Sequence, residues 1–114
     1  MSEYFESTDR AYTKVYKEQT PDILAKFAAF DSAVFQPEGR EIPLKYRELI
    51  ALAVSITTQC VYCIDSHSQN AVKAGATEAE LAESAWVATA IRAGGGYAHG
   101  RLAFKLGGLS EHIH

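Results

Sequence analysis

Twenty residues, Glu48 to His67, read ELIALAVSITTQCVYCIDSH and leave the chain few folds to choose from. The longest unbroken apolar run, Leu49 to Val54, comes first, then the polar break Thr57-Thr58-Gln59. After the break stand the only two cysteines, Cys60 and Cys63, in a C-x-x-C, with His67 four residues further on. If 60–74 is a helix, Cys60, Cys63 and His67 fall at i, i+3 and i+7 on one face. The preceding run is apolar on nearly all sides apart from Ser55, which suits a helix central to the fold. Antiparallel packing of the two helices would bring Glu48, at the head of the run, within reach of both thiols and the imidazole. From position alone Glu48 has two readings: a solvated acid paired with Lys45 or Arg47, or an acid facing a pocket.

The rest of the chain is punctuated as helices. Residues 1–19 read as an N-terminal arm with one amphipathic helix, Asp9 to Glu18, on which Tyr12 and Tyr16 share a face; Tyr4 and Phe5 belong to a mobile lead-in. Thr20-Pro21-Asp22 is a helix start, with Thr20 as N-cap, Pro21 in the first position and an acid in the first turn. Ile23, Leu24, Phe27, Phe30, Val34 and Phe35 follow at helical spacing, the usual mark of a core face. Gln36-Pro37-Glu38-Gly39 turns the chain, and a helix from Pro43 to about Thr58 follows. Gly75 closes the cysteine-bearing helix, and Thr77-x-x-Glu80 is a capping box for the next, which runs to about Arg92. Gly94-Gly95-Gly96 reads as a loop or hinge before a last helix, Tyr97 to Leu106, and an exposed tail. No stretch alternates with period two. The expected fold is all-α, a single domain over 1–114 with five or six helices.

Charge and composition exclude several functions. The 114 residues carry a net charge of −3 and no block of Lys or Arg, so nucleic acid is not an expected partner. No apolar stretch approaches the length of a membrane span, and the polar first twenty residues lack the apolar centre of a secretory signal. A cytoplasmic location is expected by default. In a reducing compartment a vicinal cysteine pair is more often catalytic or metal-binding than a structural disulfide. Several segments are apolar on more than one face, so part of that surface is expected to be buried in a homo-oligomer.

Spacing alone leaves three readings of the pair. Two small residues buried in a helix is one. A zinc site of Cys60, Cys63 and His67 with His99 or a carboxylate is another, although the second ligand pair of structural zinc sites is missing. The third is a redox centre: thiols at a helix N-terminus, where free N–H groups stabilise a thiolate, beside an imidazole. His99, His112 and His114 have no pairing of this kind.

Glu48, Cys60-Val61-Tyr62-Cys63 and His67, in the spacing E-x11-C-x2-C-x3-H, with Gly75 and Thr77-x-x-Glu80 behind them, resemble the AhpD-like alkylhydroperoxidase / carboxymuconolactone decarboxylase family. By helix order the resemblance spans about 25–106. It implies an all-helical, oligomeric fold, commonly a trimer or hexamer, and a thiol-dependent peroxidase or disulfide oxidoreductase acting on small or alkyl hydroperoxides. Cys63 then corresponds to the cysteine that attacks peroxide and Cys60 to the one that resolves it and meets the reductant; Glu48 and His67 correspond to the proton relay. No cofactor or metal is implied, only an external dithiol of lipoyl or thioredoxin type. Helix-dipole reasoning alone favours Cys60 as the more acidic thiol, while only Cys63 is i+4 from His67. The sequence departs from the pattern in two ways. Tyr62 stands where AhpD carries a second histidine between the cysteines, and AhpD holds two such helical units where this chain has one. The family's decarboxylases lack the cysteine pair. A redox sensor without turnover and a carboxymuconolactone-type decarboxylase are the alternative functions.

Overall fold

The computed structural model describes residues 6–108, so Tyr4, Phe5, His112 and His114 lie outside the described residues. A 3-10 segment, Ser7–Tyr12, leads into α1 (Thr13–Gln19), α2 (Pro21–Val34), α3 (Leu44–Thr57), α4 (Val61–Lys73) and α5 (Glu78–Leu106). No strand occurs among the described residues. The all-helical expectation holds, with three local corrections.

The first is at the N-terminus. The helix expected over Asp9–Glu18 is split, its first part wound as 3-10 and its second as α1. Tyr12 and Tyr16 are both exposed. Thr20 occupies the N-cap position of α2 but makes no cap bond. Its hydroxyl instead donates back to the Tyr16 carbonyl at 3.1 Å, satisfying the end of α1. Pro21 sits at the start of α2 as expected. The last carbonyls of α2 are held from downstream: Arg40 donates to Ala33 O and Arg47 to Val34 O. Arg47 also donates to Ile42 O, so it clasps the Gln36–Pro43 turn onto α3. Gly39 turns this loop with φ +85°, a backbone angle that favours glycine.

The second correction concerns Gly94-Gly95-Gly96. The three glycines lie inside α5, which continues for 29 residues. Each glycine weakens a helix by about 1 kcal/mol relative to alanine, yet none forbids helical backbone. The Thr77/Glu80 capping box fixes the N-terminus with reciprocal bonds of 2.9 and 3.1 Å, and helical segments flank the glycines on both sides. The helix is about 43 Å long at 1.5 Å per residue. Only its first half packs on the body: every residue from Thr89 to Gly108 is exposed.

The third is the fate of the aromatic face of α2. Ile23, Phe27 and Phe30 are exposed, the two rings at 62% and 66%. The core lies elsewhere. α3 is the central helix, packed against α4 and α5. Glu48, Leu52 and Ser55 form its buried stripe at i, i+4 and i+7, facing Ala71 of α4 and Ser84 and Ala88 of α5. Small residues let these backbones approach. Ser84 donates to Leu49 O at 2.8 Å and Arg92 to Thr57 O at 2.6 Å, tying α5 to the start of the apolar run and to the last residue of α3. The radius of gyration is 19.1 Å, against about 13 Å for a compact chain of this length. The difference comes from α2 and the far half of α5, which reach away from the α3–α4–α5 body.

Lys45 at the start of α3 pairs with Glu80 at the start of α5, 3.0 Å apart. The Thr77 N–H and then the Lys45 ammonium hold the Glu80 carboxyl below its ordinary 4.5. The stabilisation from Glu80 is therefore complete above pH 4.5 and is lost as pH falls through the lowered value. Glu80 chiefly raises the pKa of Lys45, whose contribution is lost only in strong base. Glu80→Gln is expected to lower Tm at pH 7 and to leave it unchanged at about pH 2, where the native carboxyl is also neutral; melting curves at the two pH values check this.

Candidate functional site

The break between α3 and α4 is built so that the first cysteine ends up outside the helix and at its head. Thr57 and Thr58 hydroxyls both donate back to Val54 O and close α3. Gln59 then takes φ +57°, and the Cys60 N–H returns to Ser55 O at 3.0 Å. The reversal leaves Cys60 in extended backbone as the N-cap of α4. Its Sγ accepts the Cys63 N–H at 3.2 Å, the bond that an N-cap serine oxygen would make. Sequence spacing had placed Cys60 within the helix; it stands one residue before it.

Cys60 and Cys63 are joined in a disulfide, with Cα atoms 5.2 Å apart. Both are half-buried. They stand at the positive end of α4, where unpaired N–H groups lower the free energy of a sulfur anion once the bond is reduced.

One turn beyond Cys63, His67 meets α3. Its Nδ1 lies 2.6 Å from Glu48 Oε1. Glu48 is 3% exposed, so of its two readings the solvated one fails and the pocket-facing one holds. A carboxylate only accepts, which puts the proton on Nδ1 and leaves Nε2 as the ring nitrogen free to take or pass a proton. Phe35, the residue that ends α2, covers the imidazole with ring centroids 4.8 Å apart at 33°. Acid and imidazole therefore converge, as the antiparallel packing of α3 on α4 requires. Among the described residues no hydrogen bond joins the imidazole to either sulfur; Cys63 and His67 share a helix face one turn apart.

His99 lies on the exposed half of α5, its ring against its own Gly95 carbonyl at 3.3 Å, and takes no part in the site. Two neighbours were not read from sequence as part of it. Phe35 was recognised only as part of an apolar stripe; the Pro37 turn behind it marks a helix end, but nothing marks that end as a wall. The other is the N-terminal segment. Tyr62 Oη donates to Asp9 Oδ2 at 2.8 Å across 53 residues of sequence, and this bond, chiefly, raises the Tyr62 pKa above 10.0. Arg10 Nη2 stands 3.5 Å from Asp65 Oδ2. No local signal announces a contact of that sequence separation.

Fold and site together define an all-helical protein with a vicinal dithiol/disulfide centre backed by a buried acid–imidazole pair. The chain belongs to the carboxymuconolactone decarboxylase family, whose sequence profile matches residues 21–106 and of which the AhpD-like proteins are part. It is similar to an uncharacterized protein 4 in the cox locus of Paracoccus denitrificans, 39% identical over 80 residues that make up 70% of each chain. It is also 43% identical over 53 residues to an uncharacterized Haemophilus influenzae protein, covering 46% of this chain and 45% of that one. Among solved structures it resembles a structural genomics target from Methanobacterium thermoautotrophicum, with a TM-score of 0.71, 36% identity, and 78% and 98% of the two chains covered. A carboxymuconolactone decarboxylase family protein from Legionella pneumophila superposes with a TM-score of 0.65 at 29% identity, over 72% of this chain and 71% of that one. The family includes decarboxylases and alkylhydroperoxidases.

The Glu48–His67 pair has a measurable structural role. Removing His67 leaves a buried carboxylate without its partner, which costs roughly 1–3 kcal/mol. Glu48→Ala and His67→Ala are expected to be coupled by about that amount in a double-mutant cycle read by urea denaturation.

Proposed function

We propose that the protein is a thiol-dependent peroxidase or disulfide oxidoreductase acting on small or alkyl hydroperoxides. The observation that carries this reading is the disulfide at the head of α4, one turn from the buried Glu48–His67 pair. In the reduced protein Cys63 loses its proton toward the His67–Glu48 pair, through an intervening water where the groups do not touch. The Cys63 thiolate attacks the terminal oxygen of ROOH. The O–O bond breaks, ROH leaves with the relayed proton, and Cys63 becomes a sulfenic acid. The Cys60 thiolate attacks that sulfur, hydroxide leaves as water on taking a proton, and the disulfide forms. An external dithiol of lipoyl or thioredoxin type resets it by exchange at Cys60, which returns both thiols and oxidises the donor. Neither half of the cycle calls for a metal or organic cofactor. Helix position and family resemblance still divide the roles differently. Cys60 is the sulfur that receives a helix N–H, and Cys63 is the one on the His67 face. We follow the second.

The exposed apolar faces support a homo-oligomer, a trimer or hexamer as is common in the family. Phe27 and Phe30 of α2, Trp86 of α5 at 71% exposure and Tyr97 at 74% are large rings that water does not favour leaving uncovered. No described helix is long and apolar enough to cross a membrane. We place the cycle in a reducing compartment, the cytoplasm, where the dithiol donor is plentiful.

The family profile favours one other enzyme reading, cofactor-free decarboxylation of a lactone acid, which needs a base but no thiol. Alkylation separates the two. Peroxide consumption with excess dithiol is expected to fall to background after treatment of the reduced protein with iodoacetamide, whereas decarboxylation would survive. Cys63→Ser and Cys60→Ser are each expected to abolish turnover, measured as peroxide loss with dithiothreitol. A Cys63→Ser protein that keeps the wild-type rate overturns the assignment, and wild-type protein that forms its disulfide once without turning over is a sensor. Light scattering is expected to give a mass three or six times that of one chain.

A further inference from the structure

Helix α5 separates its charges along its length. Its acids, Glu78, Glu80 and Glu83, all stand in the first two turns, and from Ser84 to Leu106 it carries bases and no acid. Arg92, the first of those bases, is turned onto the body, where it donates to Thr57 O. Arg101 and Lys105 lie on the exposed half and, like Glu83, make no ion pair among the described residues. A helix ordered in charge this way attracts a second copy of itself running in the opposite direction and repels one running parallel.

The register that matches the charges also matches the shape. Glu83 and Arg101 are about five turns apart, so they share one side of the helix. Between them on that side stand Val87, Ala90, Gly94 and Tyr97, at alternating steps of four and three residues, the spacing of a packing seam. The seam reads as a palindrome. Reversed about the level of Arg92, it sets Glu83 against Arg101, Val87 against Tyr97 and Ala90 against Gly94, with Glu80 and Lys105 beside each other just beyond. The smallest residues thus fall at the crossing, where two backbones come closest. The seam is uncovered in the subunit: Val87 is 57% exposed and Tyr97 74%, and a Cβ added at Gly94 would meet nothing within 4 Å. Arg101 stands over the Tyr97 ring, 5.1 Å from its centre, which keeps the base on the seam side. Beside the first half of the seam runs an apolar groove of about 330 Å³ between α3 and α5, with Leu49, Ile50, Ala53 and Val87 in its walls. In this register it lies level with Leu102 of the second copy.

We propose that two copies of this chain associate through α5, antiparallel and about a twofold axis level with Arg92, with Glu83 of each copy against Arg101 of the other. This contact rests on the homo-oligomer reading above and adds to it a surface and a symmetry. Such an interface is isologous: both copies offer the same face, so every pair of groups occurs twice. A trimer closed by a threefold axis alone contains no such contact, whereas a hexamer built of three twofold pairs does. Of the two assemblies expected above, the seam therefore admits the hexamer.

The test is the mass of the full-length protein by light scattering over a dilution series. The wild type is expected to contain an even number of chains. Glu83→Arg and Arg101→Glu each set like charges together twice per pair, and each is expected to raise the concentration at which the mass halves roughly a hundredfold, about tenfold per contact. The double variant restores opposite charges in exchanged positions and is expected to return to the wild-type curve, a rescue that misfolding of a single variant does not give. Gly94→Leu favours the helix within the subunit and crowds only the crossing, so it is expected to weaken association as well. A wild-type trimer, single variants that follow the wild-type curve, or a charge exchange that recovers nothing overturns the seam and leaves the homo-oligomer reading intact. A wild-type monomer at every concentration overturns both and assigns the face to a different protein.

Discussion

The rest of the site hangs on a single buried contact, Glu48 on His67 at 2.6 Å. It joins the second turn of α3 to the second turn of α4, and it can form only if the chain reverses sharply between them. The reversal is supplied by Gln59 in left-handed backbone and by two threonines that close α3 on the Val54 carbonyl. The same reversal leaves Cys60 at the helix head, its sulfur in the place of a capping oxygen. Burying an acid is unfavourable unless it is paired, so the imidazole fixes the angle of Glu48 and Glu48 fixes the tautomer of the imidazole. Structural and chemical demands on the two residues are therefore the same demand.

Around this contact the chain divides its apolar residues unevenly. Leu52, Ala71 and Ala88 are its buried apolar side chains among the described residues, all on the α3–α4–α5 body. Rings that would ordinarily form a core, such as Phe27, Phe30 and Trp86, face outward. Phe35 is the exception among the α2 aromatics: the clasp of Arg47 on the Val34 and Ile42 carbonyls swings the end of α2 inward, and the ring lands on His67. The site is thus walled by a helix that otherwise contributes little to the subunit's interior.

Much of this was legible in the sequence because the signals are local. Caps, proline and glycine mark helix ends, and Thr77 with Glu80 forms the capping box that the spacing required. The E-x11-C-x2-C-x3-H spacing placed acid, thiols and imidazole on facing helices. What escaped was decided by competition or distance. Gly94-Gly95-Gly96 has a breaker's composition, but propensity is a weak prior against a long, well-capped helix. Thr20 has a cap residue's chemistry, and its hydroxyl chose the preceding helix instead. The stripe on α2 has core periodicity, and periodicity says only that a face is apolar, not which molecule covers it. The Asp9–Tyr62 bond spans 53 residues and leaves no trace in any window short enough to read.

The far half of α5 carries a consequence of its own. Beyond Arg92, which donates to Thr57 O, every described residue of the helix is exposed, and its glycines make it a poor helix in isolation. Covered in the homo-oligomer proposed above, that half would fold and associate in one equilibrium, on which dilution acts as a denaturant would.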